Sequence, residues 1–242
     1  LININLFNIY IMNNNSIIYN SGIVSVLLQF LTGLLNFYVL ALKTSPKLLF
    51  IRKLLWLEVF VQIIEGIFYF WLFVNFNTIK NITKHRYYDW IITTPTMLLT
   101  YVLYLKYLNT NDHLISVIQE LWNEKTNLIV IVIMNAFMLL FGYLGEIGKI
   151  PMKYASFFGF IPFGIMFYII YNQYAVKTDL GLLSFYYFFI VWALYGVASF
   201  FNYTLKNVAY NLLDFFSKNF FQIFLSYLLL FPESLINKSL HT

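Results

Sequence analysis

The stretch NLLDFFSKNFFQIFL, residues 211–225, sets Lys218 at the middle of an apolar run, four residues after Asp214. That spacing puts both side chains on one face of a helix. Working outward, the run extends over 205–230, long enough to cross a hydrocarbon core of about 30 Å as helix. Six more stretches of the same kind precede it, at 17–42, 48–74, 88–108, from 114 or 126 to 144, 152–171 and 180–203. The chain is 61% hydrophobic and 10% charged, with mean hydropathy +0.73. A water-soluble domain is excluded, and the expected fold is an all-α membrane protein, a bundle of seven transmembrane helices in a lipid bilayer.

Short polar connections such as KTSPK, NTIKNITKH and NTNDH separate the spans and leave no room for a soluble domain. The domain reading is a segment 1–16, an interfacial helix or an Asn-rich lead, then a bundle 17–230 and a short tail 231–242. With no cysteine in the chain, neither a disulfide nor a thiolate metal site is expected, and no other metal site stands out. The net charge of +5 is spread over several loops, which fits a membrane-orientation signal and not a nucleic-acid footprint. Lys43, Lys47, Arg52, Lys53, Lys106, Lys125, Lys177 and Lys238 fall on one side, against Lys80, Lys84, Lys149 and Lys153 on the other. This bias favours an extracellular N-terminus and a cytoplasmic C-terminus.

Ionisable residues inside a span are costly unless paired or hydrated, so Glu58, Glu65, Asp89, Asp214 and Lys218 are all candidate functional groups. A lysine in an apolar pocket readily forms a Schiff base with an aldehyde, and the resulting cation needs a buried counter-ion. The third span offers one in HRYYDWIITTPTMLLT, residues 85–100. Arg86, Asp89 and Thr93 share a face there, so Arg86 is expected to hold both aspartates ionised while Thr93 hydrogen-bonds Asp89.

The run from Arg86 to Pro95, with Asp214 and Lys218 in the last span, resembles the third- and seventh-helix signatures of microbial (type 1) rhodopsins. The resemblance implies all-trans retinal bound to Lys218 as a protonated Schiff base, with Asp89 and Asp214 as counter-ions and proton acceptors, supported by Arg86 and Thr93. It also implies a pocket of Trp90, Thr94, Met97, Asn135, Met138, Gly142, Met166, Trp192 and Tyr195. Met97, an apolar residue at the colour-tuning position, implies blue-green to green absorption. Gly196 stands where relatives often have proline, and is expected to permit a bend there. A homo-oligomer is also compatible with the family.

Polar residues recur at helical spacing in three spans: Ser21, Ser25, Gln29 and Asn36 in the first, Glu58, Gln62 and Glu65 in the second, Asn207, Asn211 and Asp214 in the last. Facing one another, such stripes enclose a hydrated path for cations; ordinary helix packing through polar side chains explains them equally simply. Ser25, Gln29, Glu58, Gln62, Glu65, Lys206, Asn207 and Asn211 resemble the polar set of rhodopsins encoded by giant algal-type viruses. That resemblance implies a virus-encoded photoreceptor, not an enzyme, acting as a light-gated cation channel for sodium or potassium. The alternative is a light-driven outward proton pump, and a sensor working through a partner stands third. Against efficient pumping, the position of the family's carboxylic proton donor is Thr100, and a hydroxyl stores no useful proton at neutral pH. Thr94 and Asn135 stand where algal channels carry a gating pair, and are expected to share a hydrogen bond.

Overall fold

In the computed structural model, residues 2–110 and 114–232 are described, with side chains described from residue 15 onward. Helices dominate because a bilayer offers no hydrogen-bond partners to a bare backbone, whereas a helix satisfies its own. The first, α1, runs Ile2–Ala41, taking in residues 2–16 of the lead; its membrane-length part is Asn15–Ala41. A 3-10 turn at Pro46–Leu48 leads into α2, Leu49–Asn75. Asn81 caps α3, Ile82–Leu108, its side chain accepting from the Lys84 amide at 3.2 Å.

The expected fourth span divides in two. A short helix α4, Val117–Asn123, is followed by the spanning helix α5, Lys125–Glu146. Gly148, at φ 72°, turns the chain into α6, Met152–Gln173, in the left-handed region that suits glycine. Thr178 and Asn202 cap α7, Asp179–Ala198, and α8, Tyr203–Asp214, each with its side-chain oxygen on a main-chain amide. The last span is not one α-helix. A π-helical turn, Phe215–Asn219, joins α8 to α9, Phe220–Leu230. Residues 233–242, most of the tail, lie outside the described residues.

Among the described residues six helices are long and apolar enough to cross a membrane, and the interrupted α8–α9 completes a bundle of seven. The helices close into a ring: α1 packs on α2, α2 on α3, α3 on α5, α5 on α6, α6 on α7, α7 on α8, and α1 on both α8 and α9. Leu27, Phe30, Phe70, Ile91 and Leu183 point outward and are more than half exposed, as a lipid-facing surface requires. Inside, the half of the bundle where α2 begins, the distal half, holds most of the apolar and aromatic core, crossed by a few buried polar side chains. The charges gather nearer the middle and toward the proximal half, where α3 begins.

Candidate functional site

The π turn aims Lys218. Its widened ring is closed by the Phe220 amide on the Phe215 carbonyl, and the Tyr187 hydroxyl of α7 donates to the Phe216 carbonyl at 2.7 Å. Lys218, 2% exposed, then meets carboxylates from three helices. Its Nζ lies 2.9 Å from Glu65 Oε1 of α2, 3.0 Å from Asp89 Oδ2 of α3 and 3.6 Å from Asp214 Oδ1 of α8.

The expected pairing of Arg86 with both aspartates is corrected here. Arg86 Nη1 lies 3.2 Å from Asp214 Oδ2, the guanidinium also donates to the Tyr69 hydroxyl and the Asn211 side chain, and it stands 5.8 Å from the centre of the Tyr210 ring. Asp89 is held by Lys218. Thr93 Oγ1 donates to the Asp89 main-chain carbonyl at 3.0 Å, a bond within α3. Asp214 is the well-bonded acid: Tyr69 donates to Oδ2 at 2.7 Å and Tyr195 to Oδ1 at 2.9 Å. Asp89 keeps Oδ1 without a hydrogen-bond partner. Three carboxylates face two cations, so with all three ionised a net negative charge is buried, a costly arrangement unless the cluster retains a proton.

Lys218 also forms one end of a cavity of about 120 Å³. Of the expected pocket residues, Trp90, Thr94, Met97, Met138, Gly142, Trp192 and Tyr195 line it. Asn135 and Met166 do not. Asn135 lies behind the wall and donates to the Thr94 hydroxyl at 2.8 Å, the expected bond between α3 and α5. Met166 is fully buried in the apolar core, one of the contacts that close the bundle. Tyr87, Phe160, Phe163, Tyr210 and Ser217 are among the lining residues that were not foreseen; for Ser217, adjacency to Lys218 was the available signal. Gly142 makes room for Tyr87, whose hydroxyl stands 2.5 Å from where a Cβ would sit. Gly196 does the same for the Phe160 ring. Its role here is space, and α7 continues past it to Ala198.

The polar stripes of the first, second and last spans do meet. Asn211 Nδ2 donates to Ser21 Oγ at 2.8 Å, and Gln62 Nε2 to the Gln29 carbonyl. Within α1, Gln29 Nε2 lies 3.4 Å from Ser25 Oγ. Deeper in the distal half, Asn36 Nδ2 binds Gln222 Oε1 at 2.6 Å and Gln62 Oε1 at 3.2 Å, and Ser226 donates to Asn36 Oδ1 at 3.0 Å. Gln222 and Ser226 extend the line of Lys218 by one and two helical turns, a spacing that reveals them in retrospect. Tyr69 likewise lies four residues beyond Glu65. Asn207 bonds Thr83 of α3. Lys206 stands apart from the expected set: it pairs with Glu146, the last residue of α5, at 2.6 Å. Glu65 belongs to the lysine's counter-charge as much as to the stripe.

A family model described as bacteriorhodopsin-like protein matches residues 18–230. Among solved structures, the viral rhodopsin OLPVRII is 32% identical, with TM-score 0.75 over 87% of this chain and 96% of its own. A blue light-absorbing proteorhodopsin from Med12 is 16% identical, with TM-score 0.71 over 90% of this chain and 98% of its own. A halorhodopsin described as a light-driven chloride pump is 14% identical, with TM-score 0.70 over 91% and 98%. These last two share the fold. No curated protein sequence matches the chain.

Proposed function

The chain belongs to the bacteriorhodopsin-like family of microbial rhodopsins, and from that premise we propose that it is a light-gated cation channel, passing sodium or potassium down their gradients. The family implies retinal, and the residues present fit it: an apolar, aromatic cavity ends on a lysine amine ringed by carboxylates, the surroundings that a cationic linkage requires. Retinal bound through the Lys218 nitrogen supplies light absorption and a change of shape on isomerisation. The chain's own residues do the rest. Asp89, with one oxygen on Lys218 and one free of bonds, accepts the nitrogen's proton. Asp214, held by Arg86, Tyr69 and Tyr195, stays in place as the fixed counter-charge. Thr94 and Asn135 tie α3 to α5 behind the pocket, and Met97 tunes the colour toward blue-green or green.

The observation that carries the channel reading is the buried line of polar side chains between α1, α2 and the last span, from Ser21 and Asn211 through Gln62 to Asn36, Gln222 and Ser226. Amides in such a line replace the water of hydration of a passing cation, and Glu58 and Glu65 favour positive charge. Asn207 with Thr83 and Asn211 with Ser21 form the proximal constriction, while Lys206 with Glu146 ties α8 to α5 beside it. In this reading the protein is a multi-pass photoreceptor encoded by a virus, with its N-terminus extracellular. The test is whole-cell photocurrent against voltage in retinal-supplied cells. Currents that reverse near the sodium or potassium equilibrium potential, and follow it when external concentration changes, are expected. Outward currents that never reverse would replace this reading with a proton pump, which the 3.0 Å contact of Lys218 with Asp89 also serves.

A further inference from the structure

Between the distal ends of α3 and α5 lies α4, and the two faces of that short helix differ. Val117 and Glu120 are buried, and the Glu120 and Glu124 carboxylates lie 3.8 and 2.6 Å from Lys106 Nζ of α3. On the other face Ile118 and Trp122, one turn apart, are 79% and 71% exposed. Both precede the membrane-length part of α5, which starts at Lys125. Lys125 Nζ rests 4.0 Å from the centre of the Trp122 ring. The acids of this corner are spent on Lys106, so Lys125 forms no ion pair among the described residues.

Helical rise sets Trp122 about 5 Å beyond the start of the span, the level of lipid headgroups, where a ring with one wet edge is favoured. If α4 continued straight from α5, Ile118 would stand about 10 Å out, in water. Instead the chain breaks at Glu124 and α4 packs on both α3 and α5. Ile118 and Trp122 then follow on from the lipid-facing row Ile129, Ile133 and Phe137 of α5, which is also exposed. We propose that α4 is an interfacial anchor lying along the distal membrane surface, with Ile118 and Trp122 at the upper acyl carbons and Lys125 binding the phosphate of an anionic phospholipid. A soluble anion would match Lys125 but leave Ile118 and Trp122 in water. A lipid satisfies both, because its chains already cover the row below. Lys43, Lys47, Lys53 and Lys177 lie on the same side and make that surface basic, which favours a net negative headgroup over a zwitterionic one. Through Glu120 and Glu124, a lipid held at Lys125 also steadies the distal end of α3, the helix that carries Asp89. This anchor is independent of whether the protein conducts passively or pumps.

The test is quenching of tryptophan fluorescence by brominated phospholipids, with the full chain in nanodiscs. The difference between wild type and Trp122→Phe isolates residue 122 among the five tryptophans. Bromines near the headgroup should quench it more strongly than bromines at the chain ends. In a phosphatidylcholine background, brominated phosphatidylglycerol should be about fivefold more effective than brominated phosphatidylcholine, and Lys125→Gln should remove that preference while leaving the depth unchanged. Trp122 left unquenched by either lipid, equal quenching by the two headgroups, or a preference that survives Lys125→Gln overturns the proposal. Inorganic phosphate at constant ionic strength should not disturb the preference; if it abolishes it, Lys125 binds a soluble anion and the lipid assignment falls. Should Trp122→Phe not fold, a fluorescent label on Ile118→Cys, in a chain with no other cysteine, decides: shielding from aqueous iodide supports the anchor, and quenching by iodide overturns it. None of these signals reads photocurrent, so their failure leaves the channel reading untouched.

Discussion

Asp89 and Asp214 are the same residue type on either side of one lysine, and their surroundings part their roles. Asp214 accepts from two tyrosines and pairs with Arg86, each a charge-assisted contact that favours a fixed anion. Asp89 has a single ionic partner and a bare oxygen, the state of an acid ready to take a proton. Glu65, at 2.9 Å, stands as close to the lysine as Asp89 does. Removing negative charge beside a protonated chromophore nitrogen lowers the energy of light absorption, so both Asp89→Asn and Glu65→Gln should red-shift the spectrum. Asp89→Asn should also abolish proton transfer. An absorption maximum unmoved by Glu65→Gln would return that residue to the ion path alone. The aspartate and lysine of the last span were legible from their spacing; Glu65 as a third counter-charge was not, because seven residues of α2 tell nothing of how far α2 leans toward α8.

Among the elements, the distal ends of α3, α5 and α6 are held together by one residue outside the spans. Glu124 lies 2.6 Å from Lys106 of α3 and accepts from the Tyr174 hydroxyl at 2.7 Å, while Asn127 reaches both. Partial burial alone would raise its pKa, but the hydrogen bonds from Lys106 and Tyr174 outweigh it and hold the carboxyl below its usual value of 4.5. A lowered carboxyl stabilises the fold above its unfolded value, and that stability fades as the pH falls through the folded one. Glu124→Gln should therefore lower Tm at pH 7 by about 2–4 °C, and the gap to wild type should close below pH 4.5. Melting curves of the detergent-solubilised protein at several pH values check this; a gap constant with pH would assign the loss to packing. The sequence left the start of the fourth span open between 114 and 126, since apolar residues of α4 and α5 form one nearly continuous run. The structure divides it at Asn123 and Glu124, where Glu124 turns to Lys106. The π turn was likewise illegible, because any five residues of this composition fit an α-helix, whereas in the bundle the Tyr187 hydroxyl takes up the Phe216 carbonyl within the wider ring.

For the whole molecule, seven crossings put the termini on opposite sides, and the absence of cysteine makes sidedness directly measurable. With an extracellular N-terminus, Lys149→Cys should react with a membrane-impermeant maleimide on intact cells and Lys43→Cys only after permeabilisation; the reverse pattern would invert the proposed orientation. Composition and periodicity were enough, without a structure, for the class of fold, the number of crossings, Lys218 with its aspartates, and the three polar stripes, because burial in lipid forbids such residues unless they have work or partners. Tertiary structure alone decided who partners whom. Arg86 goes to Asp214 and not Asp89, Lys206 to Glu146, Asn135 behind the pocket and Glu65 onto the lysine. Helical spacing fixes which face a side chain occupies, but the choice of partner depends on the rotation and tilt of each helix in the ring, which the packing of the whole bundle sets at once.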